Sequence, residues 1–370
     1  MYHAVRRSVQ RAGKVVIVSL VLVVAIAALV SVLTISSGYD PGRALAALWY
    51  GSLGSRYAVF SATLVRATPL ILTGLAVTLA FTAGVMNIGA EGQLLAGATA
   101  AVATGLAVGA WSTWIALPLS LLAGGLAGAA WAFVPAWLRR RFGVLEVIST
   151  IMMNFVALYL VGYLVRGPLQ EPLRIYPQSA PLPETARLPL LVSGARLHWG
   201  FVVALACSVA LWWTLRSTAA GFRVRVLGEN RDAARSAGLI DVGKTAMRAF
   251  LLSGLLAGLA GAIEVTGVTY SLYENLSPGY GYTAIAVALV GSLNPILTAF
   301  SGVLFGALEA GASAMQRDAG VPSVLASVVE ASIILLLIAF TELRRRGSVW
   351  RWLPVARDRS ITDGPRPNVS

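Results

Sequence analysis

A chain of 370 residues with 57% hydrophobic side chains, 12% charged ones and a mean hydropathy of +0.75 carries more apolar surface than one soluble core buries, which excludes an ordinary globular domain. The net charge of +13 does not make it a nucleic-acid binder, because the basic residues flank apolar runs and no base-reading motif accompanies them. One cysteine, Cys207, and two histidines, His3 and His198, allow no intrachain disulfide, predict no metal cluster and offer no nucleophile–base pair, which argues against a membrane-embedded enzyme.

In chain order, windows long enough to cross about 30 Å of hydrocarbon predict about ten helical spans, near 15–35, 62–83, 92–109, 114–136, 146–165, 199–215, 249–270, 282–299, 300–315 and 322–341. The fold class is therefore an all-α polytopic membrane protein. Its expected organisation is an N-terminal segment 1–14, a transmembrane domain 15–342 and a C-terminal tail 343–370. The first apolar run, Val15 to Ile35, exceeds the apolar core of a signal peptide and is read as an anchor. Orientation follows from basic clusters at Arg6, Arg7, Arg11 and Lys14, at Arg139 to Arg141, between Arg216 and Arg248, and from Arg344 onward. All fall on one side if both termini are cytoplasmic, as the positive-inside rule requires.

Two apolar stretches are interrupted by polar, glycine-rich sequence: Met86-Asn87-Ile88-Gly89-Ala90-Glu91-Gly92-Gln93 and Asn275-Leu276-Ser277-Pro278-Gly279-Tyr280-Gly281-Tyr282. Irregular backbone at membrane depth survives only where protein or a water-filled cavity satisfies it, so paired breaks point to a transport path. Leu72-Thr73-Gly74-Leu75-Ala76 and Leu252-Ser253-Gly254-Leu255-Leu256 lead into the two breaks on spans of opposite direction, the pattern of inverted repeats. A path for a neutral, hydroxyl-rich solute wants hydrogen-bonding groups without strong fixed charge. Asn87, Gln93 and Asn154 supply donors and acceptors, and Tyr280 and Tyr282 offer rings for stacking or gating. Glu91 has two readings, a ligand for a sugar hydroxyl or a brace that accepts backbone N–H groups at the helix break. Glu264, Glu309 and Glu330 read as packing or interfacial carboxylates, and Gly124, Gly125, Gly258 and Gly261 as sites of close helix approach.

Two connections are long. The proline-rich external loop 166–198 is expected to be extended and stiff, a platform or a plain surface loop. The cytoplasmic loop 216–248 contains Glu229-Asn230-Arg231-Asp232-Ala233-Ala234-Arg235-Ser236-Ala237-Gly238, in which Asn230 caps a short helix, Asp232 lies in its first turn and Gly238 stops it. Gly238 to Thr245 also fits the phosphate-binding pattern G-x-x-x-x-G-K-[ST]. That motif requires a strand, a following helix and a surrounding domain that a short loop cannot house, so it reads as a chance match.

The strings MNIGAEGQLLAGA from Met86, STIMMNF from Ser149, GENRDAARSAGL from Gly228 and SPGYGYTAIAVALVGSLNP from Ser277 together resemble the permease subunits of bacterial ATP-binding-cassette importers. They are most similar to the branched-chain amino acid and simple-sugar permease superfamily, in its nucleoside-uptake branch. The resemblance implies a multi-pass protein of the bacterial cell membrane that binds no cofactor itself, with ATP and Mg on a separate ATPase. It further implies a second, homologous permease in a heterodimer and an external substrate-binding lipoprotein. Glu229, Asn230, Asp232, Arg235 and Gly238 would then couple to the ATPase. An ion-coupled secondary transporter is the competing class; it shares broken helices and inverted repeats but needs no docking helix.

Overall fold

The computed structural model describes residues 23–236 and 241–345. The segment 1–14, the start of the first span, the stop at Gly238 and the tail beyond 345 lie outside the described residues. The described helices are α1 (Val23–Ser36), α2 (Pro41–Ser52), α3 (Arg56–Ala58), α4 (Leu64–Thr82), α5 (Ala90–Ala107), α6 (Thr113–Phe142), α7 (Glu146–Val165), α8 (Gly200–Ser217), α9 (Ala219–Glu229), α10 (Arg231–Ser236), α11 (Val242–Glu264), α12 (Tyr280–Val290), α13 (Pro295–Asp318) and α14 (Ser323–Arg345). A π turn at Val59–Thr63 fuses α3 and α4 into one rod, Arg56–Thr82, and a second at Val265–Thr269 extends α11 into the rod Val242–Thr269. Seven of the described helices and rods are long and apolar enough to cross a membrane.

The two rods form the centre. Their apolar windows are mostly buried, whereas less than a third of each window in α6, α7, α8 and α14 is buried, as expected of helices facing lipid. The packing is reciprocal. Helix α4 packs on α12 and α13, while α11 packs on α5 and α6, and the rods touch each other. Each half therefore packs around the lead helix of the other.

Small residues set the closeness of this packing. Gly97 faces the Gly258 backbone, and Gly258 in turn meets Gly124 and Gly128 without room for a Cβ. With no water to drive association inside a bilayer, such backbone approach supplies the van der Waals contact that holds helices together. At the equivalent seam in the other half, Gly302 abuts Ile71 and Gly306 abuts Thr63 and Ala67.

Four features differ from the sequence expectations. The stretch 282–315 is not divided near residue 300. It breaks at Gly291-Ser292-Leu293-Asn294, with Ser292 and Leu293 at φ 52° and 55°, giving a short α12 and a long α13. The cause is local: Asn294 accepts N–H bonds from Ile296 and Leu297, and Pro295 opens the helix, a strong start signal. Helix α11 begins at Val242, ahead of Ala249, because Asp241 caps it by accepting the Lys244 N–H. Helix α2, capped by Asp40, and helix α9, capped by Thr218, were not anticipated; both are short and neither has the length of a span.

The proline-rich loop 166–198 is stitched to the second half rather than freely extended. Ser179 N–H donates to Leu272 O at 2.7 Å, Leu182 N–H to Tyr270 O at 2.7 Å and Leu188 N–H to Thr266 O at 2.8 Å. Arg166 pairs with Glu274 at 2.7 Å, and the Arg187 guanidinium lies 4.8 Å from the Tyr270 ring centre.

Candidate functional site

The structure brings Asn87, Gln93 and Asn154 together at the first break, all three buried. Asn87 Nδ2 donates to Gln93 Oε1 at 2.9 Å and to Ser253 Oγ at 2.8 Å. Gln93 Nε2 donates back to Asn87 Oδ1 at 3.0 Å, which also accepts the Gly89 N–H at 2.9 Å. Asn154 Oδ1 accepts the Gly92 N–H at 2.9 Å, and its Nδ2 donates to Ile88 O at 3.0 Å and to Tyr282 Oη at 3.3 Å. These amides thus satisfy the backbone of the buried, non-helical break and the first turn of α5. They form a latch whose donors and acceptors are largely taken up by protein.

Glu91 ties the two breaks to each other. Its Oε2 accepts the Gly281 N–H at 2.7 Å, and Gly281 lies so close to the Ala90–Glu91 backbone that no Cβ fits there. Two helix N-termini, those of α5 and α12, meet at this point, and each presents unpaired N–H groups and partial positive charge. One carboxylate placed between them offsets both.

Above the junction, on the side of the 166–198 loop, lies a cavity of about 530 Å³. Arg66, Arg196, Glu264, Tyr273, Asn275, Tyr280 and Glu309 supply its polar lining. Arg66 Nε stands 3.7 Å from Glu309 Oε1, and its Nη2 is 3.4 Å from Ser313 Oγ. Both π turns border this space, the first through Ser61 and the second through Val268 and Thr269. π turns recur at functional sites because they turn side chains that a regular helix would aim elsewhere. Of the residues singled out from sequence, Tyr280 lines the cavity, while Asn87, Glu91, Gln93, Asn154 and Tyr282 do not. Sequence reasoning missed Arg66 and undervalued Glu264 and Glu309. The signal that finds them is ionisable side chains within spans, which by default mark a path.

On the opposite side, the α9–α10 elbow rests on the first break. Gly228 packs against the Thr82 carbonyl, leaving no space for a side chain, and Arg231 Nη2 donates to Gly84 O at 3.3 Å. Asn230 Oδ1 accepts the Asp232 N–H at 3.1 Å, Glu229 closes α9, and Arg235 lies in the last turn of α10. Lys244 is in the first turn of α11, its ammonium 3.2 Å from Asp241. Among the described residues no strand leads into it, so the phosphate-loop pattern has no supporting fold here.

Paired helix breaks, a polar cavity lined by the second of them and a short-helix elbow seated on the first define a multi-pass membrane permease. Residues 59–340 match the family described as the branched-chain amino acid transport system / permease component. The chain belongs to that family. It is 39% identical over 354 residues to the glucose ABC transporter permease protein TsgB13 of Haloferax volcanii, covering 93% of this chain and 91% of the relative. It is 40% identical over 312 residues to the guanosine ABC transporter permease protein NupP of Bacillus subtilis, covering 83% and 88%. It is 30% identical over 332 residues to the nucleoside ABC transporter permease protein NupB of Lactococcus lactis, covering 87% and 90%. A second guanosine permease protein of Bacillus subtilis, NupQ, matches at 29%.

Proposed function

We propose that this chain is the membrane subunit of an ATP-driven nucleoside importer in a prokaryotic cell membrane, with both termini cytoplasmic. ATP and Mg are held by a separate ATPase that docks on the α9–α10 elbow through Glu229, Asn230, Asp232 and Arg235, with Gly238 ending the docking segment. The observation that carries this reading is the seat of the elbow on Gly84. The elbow thus touches the break whose far end, at Glu91, is tied to Gly281, the neighbour of Tyr280 in the wall of the outer cavity.

The solute enters the cavity lined by Arg66, Glu264, Tyr280 and Glu309. It meets the Asn87–Gln93–Asn154 latch as the closed inner section of the path, with Glu91 and Tyr282 at its rim. A neutral base and ribose suit a wall of alternating donors, acceptors and tyrosine rings, and the similarity to guanosine and nucleoside permeases supports that class. The similarity to a glucose permease over nearly the whole chain supports a second reading, a simple-sugar importer. That Bacillus subtilis has two guanosine permease proteins among the relatives supports a heterodimer with a second permease, and an external binding protein would deliver the solute.

The test is uptake of labelled guanosine, adenosine, glucose, ribose and leucine by cells carrying the full complex, with and without Arg66→Ala and Glu264→Gln. Removing a partner from a buried polar site costs about 1–3 kcal/mol, a loss of roughly 5- to 150-fold in nucleoside uptake. Glucose or ribose as sole substrate selects the sugar reading; leucine alone defeats both; full uptake in both variants removes the cavity from the path.

A further inference from the structure

A second cavity, of about 400 Å³, opens between the end of α6, helix α10 and the start of α11. Four guanidinium groups surround it, from Arg139, Arg140, Arg231 and Arg235. One carboxylate, Asp241, stands in the wall and pairs with Lys244 at 3.2 Å, and Glu146 nearby pairs with Arg139 at 2.7 Å, which leaves the basic groups in excess. Arg139 Nη1 is buried, and its contact with Glu146 is an ion pair without hydrogen-bond alignment, so this donor has no aligned acceptor among the described residues. Neither Arg140 nor Arg235 has an ion-pair partner among the described residues. Such a concentration of like charge around a concave space is self-repulsive unless an anion fills it.

The rest of the wall says which anion. Val242, Ala246 and Met247, all half-buried, make one side apolar, a surface that inorganic phosphate leaves unused and that the glycerol and first methylenes of a lipid cover. The same end of α6 carries Trp137 and Phe142, exposed and packed edge to face at 5.4 Å, as aromatic side chains are at a membrane–water boundary. We propose that this cavity binds the phosphate headgroup of an anionic phospholipid of the inner leaflet, with its acyl end along Val242 and Met247. The lipid would pin α10 to the ends of α6 and α11, setting the position of the elbow on which the ATPase docks. The inner-leaflet placement and the effect on docking rest on the reading under Proposed function, whereas lipid binding to the purified chain is read without transport.

The full chain, purified in detergent, is titrated with phosphatidylglycerol and with phosphatidylcholine, and bound lipid is counted by native mass spectrometry. The expected result is one tightly held phosphatidylglycerol per chain, not displaced by phosphatidylcholine and not displaced by millimolar inorganic phosphate or ATP. Arg140→Gln and Arg235→Gln should each weaken it roughly fivefold, whereas Arg216→Gln, a basic residue outside the cavity, should not. Should either cavity variant misfold, competition on the wild-type chain gives the answer by itself. Displacement by inorganic phosphate or ATP would make this a soluble-anion site; release of the lipid on adding the ATPase, one for one, would assign the cavity to that protein; equal loss in Arg216→Gln would reduce the effect to net charge. Each of these overturns the proposal.

Discussion

Glu91 separates a structural brace from a solute ligand, and its surroundings set the size of the effect. The carboxylate is 7% exposed, sits in the first turn of α5 and accepts the Gly281 N–H at 2.7 Å. Glu91→Ala leaves that buried donor unpaired, at about 1–3 kcal/mol, and removes a negative charge from two helix N-termini, at about 0.3–1 kcal/mol each. The total is about 2–5 kcal/mol of stability. Glu91→Gln keeps a carbonyl acceptor in place and loses only the charge, about 1 kcal/mol. Unfolding of the purified chain in detergent reads the stability, and initial uptake rates against outside solute concentration separate capacity from affinity. A brace predicts lower stability and lower maximal rate for Glu91→Ala, an intermediate Glu91→Gln, and a KM within about twofold of wild type in both. Unchanged stability with a KM raised about tenfold would refute the brace and make Glu91 a ligand.

Three further outcomes are expected. Asn230→Pro combined with Arg235→Glu should abolish ATP-driven uptake while the chain still inserts; normal uptake would detach α10 from coupling. Lys244→Ala should leave the ATPase rate of the assembled complex within about twofold, because a true phosphate lysine would cost far more; a collapse with assembly intact would restore the nucleotide-site reading. Burial, with repulsion from Arg196 added, pushes His198 down to about 4. The folded chain then holds this imidazole neutral while the unfolded chain takes up a proton near pH 6.5. Stability should fall as pH drops from about 6.5 to about 4, by about 3 kcal/mol in all. Thermal unfolding across that range checks the slope, and an unchanged slope in His198→Asn would assign it elsewhere.

Much of this architecture was legible because bilayer physics is strict. Long apolar runs, basic clusters and two polar interruptions are each forced by the absence of water, and α4, α6, α7, α8 and α14 follow the runs. The division between α12 and α13 was also written locally, in Asn294-Pro295, but a hydropathy window averages over a four-residue break and erases it. The π turns left no such trace. Val59–Thr63 and Val265–Thr269 have the composition of ordinary membrane helix, and the extra residue per turn is fixed by packing across the rods. Asn87, Gln93 and Asn154 were recognisable as polar groups at membrane depth, but their partners were not. Which of them faces a solute and which faces backbone depends on contacts such as Asn87 with Ser253, 166 positions apart in sequence.

The contacts run without interruption from one face to the other. Arg231 holds the Gly84 carbonyl, the segment after Gly84 is held by Asn87 and Gln93, Glu91 lies in the next turn and holds the N-terminus of α12, and Tyr280, one residue before Gly281, lines the outer cavity. The long Arg231 side chain is backed at the first link by the close approach of Gly84 and Gly228, and the later links join polar side chains to backbone or to each other. A displacement of the elbow is therefore not absorbed locally, because the glycine contacts leave no volume into which the break can relax. Physical continuity alone does not prove coupling. It does say where coupling should be lost: a side chain added at Gly281 would push α5 and α12 apart where the two breaks meet, so Gly281 is the position where the elbow and the cavity should become independent.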